Sequence, residues 1–228
     1  MNVAGLIPFT TIDFPENLAA VVFFQGCPLR CPFCHNPNLQ DFNANGAMEW
    51  SQVVSFLQER KKRLDGVVFS GGEPLMQPDI FSLVSEIKEI GFKVAIHTSG
   101  IYPERMKQIL PLTDWVGLDV KAPKSKYNIL SGRANMDSKV YETLSHLLDA
   151  KVNFEVRTTL DPRYLSVEDI YVLADELLKA GVETYALQKY RTFDGDENPP
   201  AQFEIDKFFE NEALISFLKS SFKHLILR

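Results

Sequence analysis

Apolar residues recur along this chain in two alternating patterns. Leu18-Ala19-Ala20-Val21-Val22-Phe23-Phe24 is a continuous apolar run, as expected of a strand buried on both faces. Trp50 to Lys61 then sets Trp50, Val53, Val54 and Leu57 at helical spacing. The same pair of patterns repeats. Strands are predicted at Gly66 to Ser70, Phe92 to His97, Trp115 to Val120, Asn153 to Leu160 and Glu183 to Tyr190. Helices are predicted at Ile80 to Ile90, Pro103 to Leu110, Ser138 to Ala150 and Ser166 to Ala180. Gly91 and Gly181 stand where C-cap glycines belong, Pro103 suits a first turn, and Ser138 or Asp137 is a candidate N-cap. Gln202 to Ser221 reads as one or two helices, and His224 to Leu227 as a short last strand.

That is six βα units. Buried strands alternating with helices imply parallel pairing through right-handed crossovers. A full barrel of eight units takes about 250 residues, so a partial (βα)6 TIM-like barrel of the α/β class is expected. A doubly wound sheet is the alternative. Both put reactive residues in loops at the C-terminal strand ends. One domain over residues 1–228 is expected: an N-terminal segment 1–17, a βα core 18–190 and a helical C-terminal extension 191–228.

Composition narrows the function by exclusion. There are 24 basic and 30 acidic residues, a net charge of −6, which argues against non-specific binding to nucleic acid. The longest apolar run, Leu18 to Phe24, falls far short of the roughly twenty residues of a membrane span. The opening Met1-Asn2-Val3-Ala4-Gly5 is unlike a secretory signal, so a cytoplasmic location is expected. Three cysteines are an odd count unsuited to a disulfide framework.

All three lie in Gly26-Cys27-Pro28-Leu29-Arg30-Cys31-Pro32-Phe33-Cys34-His35-Asn36, directly after the first strand. Four chemistries compete for them. Zinc would want a fourth ligand, and His35 follows Cys34 too closely for good tetrahedral geometry. Cys31-Pro32-Phe33-Cys34 read as a redox dithiol leaves Cys27 idle. Cys31 to His35 matches haem attachment, which belongs to exported proteins. A [4Fe–4S] cluster takes four thiolates; with three, one iron stays open for a ligand.

The C-x3-C-x2-C spacing of Cys27, Cys31 and Cys34, with Phe33 before the last, resembles the signature of the radical S-adenosylmethionine enzymes. Gly26-Cys27 and Cys34-His35-Asn36-Pro37 are similar to the activating enzymes of glycyl-radical enzymes. Gly5-Leu6-Ile7-Pro8-Phe9-Thr10-Thr11-Ile12-Asp13-Phe14-Pro15 resembles the opening of the longer anaerobic ribonucleoside-triphosphate reductase activating proteins.

The resemblance implies a radical SAM core, a [4Fe–4S] cluster on Cys27, Cys31 and Cys34, and S-adenosyl-L-methionine as second cofactor. It implies that the open iron chelates the cofactor's amino and carboxylate groups, and that one electron then yields a deoxyadenosyl radical. It implies further binding residues. Gly71, Gly72 and Glu73 match the family's Gly-Gly-Glu motif, whose carbonyls accept from the methionine ammonium; an ordinary βα turn is the plainer reading. Asp119 and Lys121 match its Asp-x-Lys motif and share a face by strand alternation; a strand-end salt bridge is the plainer reading. Arg157 would hold carboxylate or ribose oxygens, unless Glu155 on its own face is its partner. Phe33 is expected near the adenine with Asn36 bonding nearby, Thr98 at the third strand's end, and Gln188 at the mouth of the site.

The chain departs from the pattern at Ile96-His97-Thr98-Ser99-Gly100, where the activases carry Asp-Thr-Asn-Gly. His97 in place of the aspartate puts a monovalent-cation site in doubt and either titrates near neutral pH or is structural. The basic run Arg60-Lys61-Lys62-Arg63 closes the first helix. It reads as a solvated end favoured by the dipole, or as a dock for an acidic electron donor. The resemblance implies a glycyl-radical enzyme as protein substrate and a flavodoxin- or ferredoxin-type donor. The competing readings are a small-molecule radical enzyme like the 7-carboxy-7-deazaguanine synthases and a zinc or dithiol binding module.

Overall fold

The computed structural model describes residues 2–150, 152–193 and 195–228. One eight-stranded sheet runs through it in unbroken chain order. Its strands are β1 (Val3–Thr10), β2 (Ala19–Phe24), β3 (Gly66–Gly71), β4 (Lys93–Thr98), β5 (Trp115–Asp119), β6 (Asn153–Leu160), β7 (Thr184–Lys189) and β8 (His224–Leu227). β1 pairs antiparallel with β2, and every later pair is parallel. The crossovers carry α1 (Trp50–Arg60), α2 (Ile80–Ile90), α3 (Pro103–Ile109), α4 (Lys124–Ser131), α5 (Met136–Ala150), α6 (Val167–Ala180), α7 (Gln202–Phe209) and α8 (Glu212–Ser221). A doubly wound sheet reverses its strand order at a switch point. Here the order never reverses, so the sheet winds as a partial barrel. Its edges, β1 and β8, do not pair with each other among the described residues.

The six βα units expected from the pattern are β2 to β7 with their helices. Local chemistry explains their limits. Ser166 Oγ accepts from Asp169 N at 3.2 Å while Asp169 accepts from Ser166 N at 2.7 Å, a reciprocal cap that opens α6. Gly91 and Gly181 close α2 and α6 in the left-handed conformation. α5 starts earlier than expected. Asp137 and Ser138 lie inside its first turn, and Ser138 Oγ donates back to Asn135 O at 3.0 Å. Two elements escape the apolar pattern: β1, an edge strand containing Pro8, and α4, which is rich in Lys, Ser and Asn.

Alternate strand residues face opposite sides. Ala20, Val22, Val67, Phe69, Val94 and Ile96 pack outward against the helices in the main core. Ala19, Val21, Val68, Ala95 and Trp115 face inward around Phe14, in a smaller second core. Phe14 belongs to the segment between β1 and β2, which crosses the barrel floor. There its ring lies 6.2 Å from that of Trp115, and the Asp13 carbonyl bonds His97 Nε2 at 2.8 Å. The N-terminal segment is therefore part of the barrel and not a leader to it.

Phe14→Ala empties that floor. The expected cost is about 3 kcal/mol of unfolding free energy, read by urea titration; no loss of stability would mean that the segment is not packed as described.

Candidate active site

The loop after β2 holds the three cysteines. It is fastened at its root, where Gly26 N donates to Leu39 O at 2.8 Å and Gln25 Nε2 reaches Asn38 O at 2.8 Å and Asp41 O at 2.9 Å. Its middle rests on α4: Arg30 N donates to Ser131 O at 3.0 Å. Arg30 Nη1 turns back to the carbonyl of Cys27 at 2.6 Å. All three thiols are free and half-buried.

The turn after β3 locks against this loop through its backbone. Gly72 N donates to Phe24 O at 2.8 Å and Glu73 N to Gly26 O at 2.9 Å. A Cβ at Gly72 would lie 2.1 Å from Gly26 O, and one at Gly71, where φ is 120°, 2.2 Å from Phe24 N. The glycines are thus required by the neighbouring strand and loop, not by a ligand alone.

Glu73 is fully buried beneath the cavity wall and does not line it. Its carboxylate accepts from Leu75 N, Thr98 Oγ1 at 2.7 Å, Ser99 N at 2.9 Å and Ser99 Oγ at 2.5 Å. Burial pushes its carboxyl up, against those four donors. With its acceptors engaged, it ties the β3 turn to the end of β4, behind the cavity that most of the other expected site residues line.

Asp119 closes β5. Its Oδ1 accepts from Arg157 Nε at 2.8 Å, and Lys121 Nζ stands 3.7 Å from Oδ2. Burial opposes its charge, yet Arg157 and Lys121 outweigh that and hold the carboxyl below its ordinary value. Glu155 is not the partner of Arg157: it pairs with Arg228. Gly117 makes room for this arginine, since a Cβ there would meet Arg157 Nη1 at 2.6 Å.

One cavity gathers Cys27, Cys31, Phe33, Cys34, Asn36, Gly71, Gly72, Thr98, Asp119, Lys121 and Arg157 at the C-terminal strand ends. Gln188 lies elsewhere, in an adjoining cleft with Lys189, Arg191 and Arg228. His97 lines both spaces but does not titrate near neutral pH. Burial first, then the Arg157 cation, lowers it to about 3. It is a neutral structural histidine edged against Trp115 at 5.6 Å. Tyr127 of α4 was not visible in the pattern; fully buried, it donates through its hydroxyl to Asp119 O at 3.4 Å. The basic run after α1 stands at the opposite end of the barrel, just before β3 begins. Lys61, Lys62 and Arg63 are solvated there, away from the cysteine loop.

The donor set fits an iron–sulfur cluster. The three sulfurs do not all lie within 4.8 Å of one another, whereas ligands of one tetrahedral zinc stand about 3.8 Å apart. His35 Nε2 accepts from Arg191 N at 3.3 Å instead of completing a zinc site. Burial pushes the Cys27 thiol up to about 12 and raises Cys31 as well. Thiols so placed ionise only against cations, and Lys121 is one such charge.

The model of the Radical SAM superfamily matches residues 21–164, and this chain belongs to that superfamily. It is an enzyme, and its cofactors are a [4Fe–4S] cluster and S-adenosyl-L-methionine. Among its relatives are activating enzymes. It is 28% identical to a provisionally named glycyl-radical enzyme activating enzyme of Methanocaldococcus jannaschii, over 99% of this chain and 95% of that one. It is 36% identical to the pyruvate formate-lyase-activating enzyme of Clostridium pasteurianum over 54% of this chain and 53% of that one. For the Staphylococcus aureus enzyme of that name the figures are 29%, 79% and 77%. The fold is that of Streptococcus suis SuiB bound to S-adenosylmethionine, with TM-score 0.70 and 18% identity over 91% of this chain and 51% of SuiB. It is also that of anSMEcpe with bound AdoMet, with TM-score 0.69 and 17% identity over 90% and 62%. The chain thus spans about half the length of SuiB.

Two outcomes follow. Gly72→Ala cannot keep both backbone hydrogen bonds to the β2 side, so a melting-temperature drop of several degrees is expected, about 1–3 kcal/mol; unchanged melting would refute the close approach. For His97, the folded value lies below the unfolded one of about 6.5. Its contribution is complete above pH 6.5 and is lost as pH falls toward 3. His97→Gln should therefore lose less stability than the parent between pH 7 and pH 5, by about 2 kcal/mol, in urea titrations at the two pH values.

Proposed function

We propose that this chain activates a glycyl-radical enzyme. The reading is supported by one convergence: three thiols, a Gly-Gly turn and the Asp119–Arg157–Lys121 group share one cavity, in a chain aligned almost end to end with an activating-enzyme relative. When bound, the cluster and S-adenosylmethionine supply one electron and a cleavable sulfonium, giving methionine and a deoxyadenosyl radical that takes a hydrogen from a glycine Cα. The protein supplies position and shelter.

In this reading Cys27, Cys31 and Cys34 would hold the cluster, and with three thiolates for four irons one iron would stay open to the cofactor. Lys121 offsets thiolate charge. Asp119, kept ionised by its two cations, would accept from an N–H of the cofactor's amino group, and Arg157 fixes the orientation of that carboxylate. Backbone carbonyls of Gly71 and Gly72 are further acceptors. Thr98, tied to Glu73, shapes the wall beside them. Phe33 and Asn36 flank the adenine side. Glu73 is a positioning residue, and Gln188, in the adjoining cleft, belongs to the substrate's approach.

The substrate is a protein loop. Glycine suits it because the residue is small and flexible and its Cα radical is stabilised by flanking amides. The partner is of the anaerobic ribonucleotide reductase type, the electron comes from a flavodoxin- or ferredoxin-type donor, and the setting is cytoplasmic. No helix among the described residues is long and apolar enough to cross a membrane.

Anaerobic reconstitution should give a brown protein with about four irons per chain, lost in Cys31→Ala. Reductant, S-adenosylmethionine and a co-encoded glycyl-radical enzyme should then yield a glycyl radical in electron paramagnetic resonance. A colourless zinc protein would sink the cluster. Cofactor cleavage without a radical on any co-encoded candidate would sink the activase.

A further inference from the structure

Arg163 lies just beyond β6, outside the cysteine loop, yet it makes an unusually complete set of bonds. Its Nε donates to the Asp161 carboxylate at 3.0 and 3.1 Å, and its Nη2 does so at 2.6 Å. Its Nη1 donates to Asp196 at 2.9 Å and to the Asn198 carbonyl at 2.8 Å. Asp161 is fully buried. The guanidinium also stands over two rings, 4.8 Å from the centroid of Tyr190 and 5.5 Å from that of Tyr164. The Tyr190 hydroxyl donates to Asp196.

These two rings are the walls behind Cys34. Tyr164 packs on Phe33 with centroids 6.1 Å apart, and Tyr190 on His35 at 5.8 Å. Arg191, next to Tyr190, donates its N–H to His35 Nε2 at 3.3 Å. Phe33 and His35 are the chain neighbours of Cys34 on either side. One planar cation thus ties the β6 end, the segment after β7 and both flanks of the third cysteine into a single unit.

We propose that Arg163 is the positioning residue that holds the Cys34 end of the cysteine loop in place. It touches no thiol. It acts by fixing Tyr164 and Tyr190, which fix Phe33 and His35. Only an arginine serves fully, because the fork must reach two carboxylates and a carbonyl while its plane covers two rings; a lysine keeps the charge and loses the geometry. The consequence for cluster retention rests on the proposed function; the consequence for the loop does not.

The test uses the metal-free, reduced full chain. Site-resolved mass spectrometry gives the rate of alkylation by iodoacetamide at Cys34 relative to Cys27, which is held instead from Gln40 O and Arg30. In Arg163→Met the ratio should rise at least about fivefold. Arg163→Lys should fall between Met and the parent, and Asp196→Asn should move the same way by less. An unchanged ratio in folded Arg163→Met, or an equal rise at both cysteines, overturns the proposal. Should Arg163→Met fail to fold, Asp196→Asn decides by the same ratio. In reconstituted protein, the Met variant should lose iron faster to a chelator. A parent chain that takes up no iron defeats the proposed function, while the thiol ratio still decides the clamp.

Discussion

The site rests on a backbone contact that admits no side chain. The turn after β3 approaches the root of the cysteine loop so closely that a single carbon at residue 72 would overlap a carbonyl. Two backbone hydrogen bonds hold the approach. Everything reactive hangs from it. The loop that carries the thiols is anchored on one side, and on the other Glu73 carries the constraint across to β4 through Thr98 and Ser99. Three successive strand ends are thus set relative to one another by hydrogen bonds, the first two through backbone and the third through the buried Glu73 carboxylate.

Charge organises the opposite wall. Asp119 sits between two cations, and that arrangement holds its carboxyl below the ordinary value although burial opposes its charge. Lys121 has a second duty, since it also faces the thiols. One ammonium therefore couples the acidic and sulfur-bearing halves of the cavity. His97, which lines the same cavity, is held neutral by burial and by the Arg157 cation, and its ring bonds the Asp13 carbonyl.

Legibility followed the range of the interactions. The six βα units were readable because buried parallel strands leave continuous apolar runs and their helices leave a stripe. The cysteine loop was readable because its spacing is local. β1 was not read: an edge strand with Pro8 and several exposed positions carries neither signature. α4 was missed because its buried face is only Tyr127, Leu130 and Ser131. At the site, the motif around Glu73 was readable but its bonding was not; its four donors come from the end of β4, the residue after it and its own turn, which no spacing displays. Gln188 follows the strand's alternation and still faces a different space. Arg157 was read toward a ligand or toward Glu155, and its partner Asp119 emerges only from the register of β5 and β6, which puts the two opposite each other. The network around Arg163 joins residues some thirty positions apart, so nothing in the chain order announces it.

The barrel floor has a consequence for how the molecule comes together. Its plug is Asp13 and Phe14, near the start of the chain; Asp13 meets His97, 84 positions later, and Phe14 meets Trp115, about a hundred positions later. The hairpin of β1 and β2 closes locally and early, but the floor beneath it is shut only by contacts of high sequence separation, the slow class in folding. Phe14 has partners on β2 and β3 within the chain's first seventy residues, but the floor is complete only once β5 has supplied Trp115.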